Sequence, residues 1–385
     1  MPLYEMRKFV APEFIFGVGS RRRAGYYALN LQARRLLVVT DPGIIAAGWI
    51  DDLMPVIEDI GLEICIFSAI TPNPRDHEIM AGVDVYRREE CDVILAIGGG
   101  SVIDSAKAIG IVVGNGGHIL DYVGVDRISL PGPPLICIPT TAGTAADISQ
   151  FVIVNDFKRR CKTAIVSKTV VPDIALVDPE VTLTMDPYLT ACTGLDVLTH
   201  AIEAFVSTAS SPVVDIHALA AIALVKDNLC RAVSDPDDLA ARENMMLASL
   251  QAGLAFSNAS LGAVHAMAHS LGGFLDLPHG ESNALLIDHV IRFNYAAAEE
   301  RYVRVAQALG VAQERESSVS QREALLEALR SLRTACGIEG GLAERGVSRS
   351  DLAELAPPVI RDACIFTNPR RAVLADIKVI YAEAL

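Results

Sequence analysis

The feature that most limits the fold of this chain is a change of period along it. Up to residue 177, short apolar runs rich in β-branched residues recur between helical or polar stretches: LLVVT (36–40), ICIFS (64–68), VILAI (93–97), LICI (135–138), FVIV (151–154) and IALV (174–177). Runs that are apolar without alternation are strands buried on both faces, and strands separated by helices or long connections pair in parallel. From about Met185 the spacing turns helical, through DPYLTACTGLDVLTHAIEAFV, HALAAIALVKDNL, ENMMLASLQAGLAF and REALLEALRSLRTA. A chain of 385 residues is also too long for one ordinary core. The pattern predicts an α/β domain with a largely parallel sheet over residues 1–184 and an all-helical domain over 185–385. Residues 311–322, with Ser, Gln and Glu, read as an exposed connection.

Charge narrows the partners. The formal net charge is -14, which disfavours nucleic acid and anionic membrane surfaces, because both demand a basic face. No apolar run reaches the length of a membrane span, and MPLYEMRKFVAPEF at the start has no signal-peptide core. The eight Cys are scattered without a CxxC pair, as expected of thiols in a reducing compartment. A cytoplasmic protein is expected, and a homo-oligomer, dimer or higher.

The helical half carries the residues with most chemical content. Asp196 and His200 in TGLDVLTHAIEAF are four apart, so a helix presents both on one face, where they can grip one cation. A lone pair of this kind is commonly a helix-face contact. Here, however, four of the eight His fall between 265 and 289, in a stretch rich in Ala, Gly and Leu where an uncompensated ring is costly. His265 and His279 can close the shell, giving one carboxylate and three imidazoles. That set suits Fe(II), Zn(II), Mn(II) or Co(II). His269 lies one helical turn beyond His265, and spacing alone does not rank the two.

Two loops in the first half suit a phosphate-bearing ligand. In AIGGGSVIDSAKAIG (96–110) a predicted strand runs into a helix, so Gly98, Gly99, Gly100 and Ser101 can bring backbone N–H groups to a pyrophosphate. A tight strand-to-helix turn explains the same glycines. IPTTAGTAAD leaves another strand and offers the hydroxyls of Thr140, Thr141 and Thr144. Asp41, after LLVVT, can accept bonds from a ribose diol and repel a 2′-phosphate, or can simply form an Asp-Pro-Gly turn.

Taken together, FGVGS, TDPG, TPNP, GGGSVIDSAKA, IPTTAGT, GLDVLTHAIEAF, GAVHAMAHSLGG, PHGESNA and NPR make the chain resemble the iron-containing (group III) alcohol dehydrogenases from end to end. The similarity is greatest to the branch of short-chain alcohol, propanediol and lactaldehyde dehydrogenases. The resemblance implies a Rossmann-like N-terminal domain, an all-helical C-terminal domain and a cleft between them, the fold shared with dehydroquinate synthase. It makes Asp196, His200, His265 and His279 the metal ligands, and His269 a neighbour of the nicotinamide in the proton path. Asp41 and Asn73 then adjoin the adenosine ribose, and Gly99, Gly100 and Ser101 hold the pyrophosphate. Thr140, Thr141, Thr144, Ser149 and Lys162 line the rest of an NAD groove, and Phe151, Phe256 and Cys364 line the substrate pocket. Many relatives carry GTGSEVT where this chain has GTAADIS (143–149), and some have a polar side chain at the place of Phe151.

These parts imply NAD-linked oxidation of a small neutral primary alcohol, or reduction of its aldehyde, at a divalent metal, with Fe(II) implied by the family and Zn(II) able to displace it. There is no Lys or Arg between Lys168 and Lys226, nor between Arg242 and Arg292, so the ligand-bearing segments lack the cations that hold phosphate or carboxylate. A propanediol, lactaldehyde or glycerol-type dehydrogenase is the alternative. A metal- and NAD-dependent cyclising lyase and a metal-binding regulator without turnover are further ones.

Overall fold

The computed structural model describes residues 8–156, 161–312 and 317–385. Its strands are β1 (Glu13–Phe16), β2 (Arg35–Val39), β3 (Glu63–Phe67), β4 (Val93–Gly98), β5 (Gly124–Val125), β6 (Leu135–Pro139), β7 (Phe151–Asp156), β8 (Cys161–Val166) and β9 (Ile174–Val177). Helices α1 (Ala24–Asn30), α2 (Pro42–Ala46), α3 (Trp49–Glu58), α4 (Asp76–Arg88) and α5 (Gly100–Asn115) alternate with them. Six strands form an all-parallel sheet in the order β1-β9-β6-β4-β2-β3, with Val38 opposite Leu95 and Leu95 opposite Ile136. Alternate side chains feed two cores. Leu37, Val39, Ile94 and Ala96 pack with Ile79, Val83 and Ile109 of α4 and α5; Leu36, Val38, Leu95 and Ile97 pack with Ala28, Leu53 and Ile57 of α1 and α3. The unbroken apolar runs thus reflect a sheet covered on both faces.

The FVIV run corrects one expectation. It forms β7 of a separate three-stranded sheet, order β5-β8-β7, where β7 pairs antiparallel with β8 and β5 pairs parallel with it. Hydrophobicity marks a strand without saying which sheet it joins. The polar Lys162 and Thr163 hide β8 from a search for apolar runs, and the half-exposed edge position hides β1.

Among the described residues, every regular element after β9 is helical. The α-helices are α6 (Pro187–Val206), α7 (Pro212–Ser234), α8 (Leu239–Ala259), α9 (Ala263–Leu275), α10 (His279–Asn294), α11 (Glu299–Ala308), α12 (Ser318–Ala335), α13 (Leu352–Val359) and α14 (Leu374–Glu383). Ser318 to Arg322 open α12, whose N-cap is Ser317, instead of belonging to the expected connection, and residues 313–316 lie outside the described residues. A serine that caps a helix reads in sequence like a serine in a loop.

At the centre lies α6, capped by Asp186, which accepts the Leu189 N–H at 2.8 Å, and started by Pro187. By length and composition α6 is apolar enough to cross a bilayer, but 89% of its apolar 18-residue window is buried inside the protein, as in a core helix. Ala142, Ala145 and Ile148, beyond β6, pack into the helical core, which docks that loop against α6 and α8.

Candidate active site

Three consecutive turns on one face of α6 supply Asp196, His200 and Glu203, all buried. Helix α9 contributes His265 and His269, and α10 opens with His279 and carries Asn283 one turn later. Ligand atoms of Asp196, His265 and His279 lie within 4.8 Å of one another. His265 Nε2 is 3.5 Å and His279 Nε2 3.9 Å from Asp196 Oδ1. His200 flanks this trio, its Nδ1 3.9 Å from Asp196 Oδ2 and its ring stacked on His265 and Phe256, each at 4.4 Å between centroids.

The trio fits a divalent cation on two grounds. His200 Nδ1, which faces Asp196 beside them, is buried without a hydrogen-bond partner, and a donor set of one carboxylate and imidazoles suits a first-row metal. Protonation states agree. Burial would raise the Asp196 carboxyl, but His200, His279 and His265 outweigh it and hold it well below the usual range. Burial pushes His200 down to about 3 and His279 well below its ordinary value, leaving both rings uncharged at neutral pH.

Glu203 was not legible as a site residue from spacing of His and Asp alone. Its Oε2 is 2.6 Å from His265 Nδ1, and its Oε1 accepts the Val264 N–H at 2.7 Å. A carboxylate on Nδ1 fixes the ring with Nε2 toward Asp196. Burial lowers His265, yet hydrogen bonds with Asp196 and Glu203 raise it to about 9, so a cation entering here displaces a proton. His269 is paired otherwise: its Nδ1 lies 2.8 Å from Asp362 Oδ2. Burial would raise Asp362, but His269 and the Cys364 N–H bring it down to about 2. No sequence signal links positions 269 and 362; only folding brings them together.

The pocket candidates adjoin the same cluster. Phe151 and Phe256 have ring centroids 6.0 Å apart, and Phe256 covers His200. Cys364 is buried beside Asp362 and His269.

Asp41, Gly99 to Ser101 and Thr140 to Thr144 follow β2, β4 and β6, three neighbouring parallel strands. Their loops therefore share the carboxyl edge of the sheet, where α/β folds bind ligands. Helix α5 starts at Gly100 with no side-chain cap and no acid in its first turn, which suits an anion. The close-packing explanation for the glycines also holds: a Cβ on Gly100 would lie 2.8 Å from Thr144 Oγ1. Thr140 Oγ1 is buried without a partner. Ser149 is buried, and its carbonyl accepts from Lys107 Nζ at 2.7 Å. Asp41 Oδ1 caps α2 by accepting the Ile44 N–H at 3.0 Å, so the turn role is real and one carboxylate oxygen remains for other partners. Asn73, in a left-handed conformation with φ 62°, accepts none of this passively: its N–H donates to Ser101 Oγ at 3.2 Å and its amide donates to Asp276, beyond α9.

Lys162 corrects the argument about missing cations. It lies on β8 against Gly272 of α9, and Asp276, Asp196 and Asp104 act on it electrostatically. Residues distant in sequence thus supply a positive charge beside segments that contain none. His200 also hydrogen-bonds the backbone of Gly143, in the loop after β6, so the histidine cluster adjoins the sheet's carboxyl edge.

A parallel α/β sheet whose carboxyl edge meets a helical bundle bearing an Asp and His cluster is the build of a metal-dependent, nucleotide-linked dehydrogenase. Residues 11–179 match the family described as iron-containing alcohol dehydrogenase, and residues 190–385 match the C-terminal part of the Fe-containing alcohol dehydrogenase family. The NAD-dependent methanol dehydrogenase of Bacillus methanolicus is 37% identical over 98% of this chain and 99% of its own length. Alcohol dehydrogenase 4 of Saccharomyces cerevisiae (strain YJM789) is 40% identical over 97% of this chain and 98% of its own. The crystal structure of a 1,3-propanediol oxidoreductase superposes with a TM-score of 0.96 at 37% identity, covering 99% of this chain and 100% of that one. The chain belongs to the iron-containing alcohol dehydrogenase family, and it is an oxidoreductase that interconverts alcohols and aldehydes.

Proposed function

We propose that this protein is an NAD-dependent dehydrogenase of small neutral primary alcohols, with residues 1–184 binding the dinucleotide and 185–385 the metal. The observation that carries the reading is the convergence of Asp196, His265 and His279 in the cleft below the sheet's carboxyl edge. Asp196, His200, His265 and His279 would hold a divalent cation, iron or zinc. Such a cation supplies Lewis-acid polarisation of the substrate oxygen, and bound NAD supplies the hydride acceptor. The remaining work falls to the chain. Glu203 fixes the His265 ring. Asp362 accepts from His269 Nδ1, so His269 Nε2 is the nitrogen that can take the hydroxyl proton and return it in reduction. Phe151, Phe256 and Cys364 give that space an apolar wall that excludes water and favours short uncharged substrates. Gly99, Gly100, Ser101, Thr140, Thr141, Thr144, Ser149, Asn73 and Lys162 form the cofactor groove, and Asp41 disfavours a 2′-phosphate.

A sequence relative, the 1,3-propanediol dehydrogenase of Citrobacter freundii, is 37% identical over 99% of both chains, so diols belong in the screen. The same reading takes the protein as a cytoplasmic homo-oligomer that engages neither nucleic acid nor membrane, as its net charge of -14 supports. The test pairs elemental analysis of anaerobically purified protein with NAD reduction over ethanol to butanol, 1,3-propanediol, glycerol, 2-hydroxy acids and sugar phosphates. Best kcat/KM with a short alcohol is expected, and a hydroxy acid or sugar phosphate as best substrate overturns the reading. NAD should outperform NADP, and Asp41→Gly should narrow the gap; a wild-type preference for NADP removes Asp41 from the argument.

A further inference from the structure

One side chain in the cleft belongs to none of the roles above. Asn283 is fully buried on α10, one turn past His279. Its amide nitrogen donates to Asp196 Oδ1 at 2.7 Å and lies 3.2 Å from His265 Nε2 and 3.3 Å from His279 Nε2. It is the common neighbour of the same three atoms that converge for a cation. The short approach to a carboxylate identifies the atom as nitrogen, since an oxygen there would be repelled. Two consequences follow. An amide has two N–H hydrogens, and the acceptors within their reach are Asp196 Oδ1 and His279 Nε2. Its positive end also points into the space that a cation takes, and first-row metals bind at about 2.0–2.2 Å, closer than the amide stands. The N–H group and a cation therefore compete for Asp196 and His279. Meanwhile Asn283 Oδ1 is buried with no hydrogen-bond partner, an arrangement that is unfavourable wherever it persists.

We propose that Asn283 is a switchable member of the metal cage. Its N–H group holds Asp196 and His279 together beside His265 in the metal-free chain, and rotation about the last side-chain bond turns its carbonyl oxygen to the cation when one is bound. No covalent step is involved. The amide oxygen adds a neutral ligand to the carboxylate and imidazoles, a change that suits Fe(II) and Mn(II), which accept oxygen donors readily. This inference rests on the ligand assignment proposed above, and the experiment separates the two.

Metal dissociation constants for Fe(II) and Zn(II) are measured by chelator competition on the full chain, together with the thermal midpoint of the metal-free protein. Both are read in the wild type, His265→Ala, Asn283→Leu and Asn283→Asp. His265→Ala tests the cage itself: unchanged stoichiometry and affinity there sink the ligand assignment. With the cage sound, Asn283→Leu should weaken metal binding at least tenfold, because no oxygen remains. Asn283→Asp should bind as tightly as wild type or tighter, since a carboxylate supplies oxygen although it cannot donate. Both Asn283 variants should lower the thermal midpoint of the metal-free protein, which loses its shared donor. Equal metal loss in Asn283→Asp and Asn283→Leu would show that only the N–H to Asp196 matters, and a Leu variant within twofold of wild type would show that Asn283 is packing. Either result overturns the switch.

Discussion

At the residue scale, the site turns on which nitrogen each histidine presents. Nδ1 of His265 is held by Glu203 and Nδ1 of His269 by Asp362, so two rings one turn apart on α9 have the same orientation logic and different destinations. His265 Nε2 faces Asp196, whereas the His269 ring stacks on His279 at 5.3 Å. Replacing His265 by Ala should remove metal and activity together. His269→Ala should keep most of the metal and lose turnover by roughly 10²–10⁴, the usual contribution of a positioned acid or base. Metal stoichiometry and anaerobic NADH formation decide it, and metal retained in His265→Ala but lost from His269→Ala would reverse the two roles. Helical spacing in the sequence paired Asp196 with His200, because i and i+4 share a face; clustering of histidines pointed to the stretch from 265 to 289, and the family resemblance chose His265 and His279 within it. Spacing left His265 and His269 unranked, and it was silent on Asp362, whose partner is 93 residues away.

At the element scale, the cage is set by how closely α6 and α10 approach. Gly280 follows His279, and a Cβ built there would lie 2.2 Å from the carbonyl oxygen of Cys192, one turn before Asp196. Only a residue without a side chain lets the start of α10 press on α6 at that depth. Ala in a helix ordinarily stabilises by about 0.5–1 kcal/mol relative to Gly, but overpacking a rigid contact costs roughly 1–3 kcal/mol. The overlap is with backbone, which cannot swing away, so the cost should win. Gly280→Ala is expected to lower the thermal midpoint and to release metal more easily, because moving α10 carries His279 away from Asp196. Thermal unfolding and chelator competition check this, and a more stable variant with normal metal affinity would show that the helices relax freely. Such contacts were hidden in the sequence for a physical reason: a helical Gly looks the same whether it faces solvent or another helix's backbone. The strands were more legible, since burial on both faces writes itself into β2, β4, β6 and β9 as continuous apolar runs, while β1 and β5 on sheet margins and β8, with its polar Lys162 and Thr163, carry no such mark.

At the scale of the whole molecule, polar contacts tie the sheet-bearing half to the helical half. Val10 and Asn258 exchange hydrogen bonds at 2.7 and 3.0 Å, Gln150 donates to the Ser257 carbonyl at 2.7 Å, and Asn73 donates to Asp276. Lys162 sits at the same seam, contributed by β8 and packed on α9. Burial lowers its ammonium to about 8, only partly opposed by Asp276, Asp196 and Asp104. If this cation helps hold the cofactor pyrophosphate, kcat/KM for NAD, which reports the free enzyme, should be level below about pH 7 and fall above about pH 8 as the proton leaves. Stability has the opposite sign. The folded pKa lies below the ordinary lysine value near 10.4, so the folded chain binds fewer protons than the unfolded one, and this group's contribution to stability grows as pH rises from about 8 to 10. A fall in cofactor efficiency over that window therefore cannot be assigned to Lys162 unfolding the seam. Lys162→Arg provides the decisive comparison, because a guanidinium stays charged throughout. Its alkaline limb should flatten even where its absolute efficiency is lower, and an unchanged limb in Lys162→Arg would assign the fall to another group.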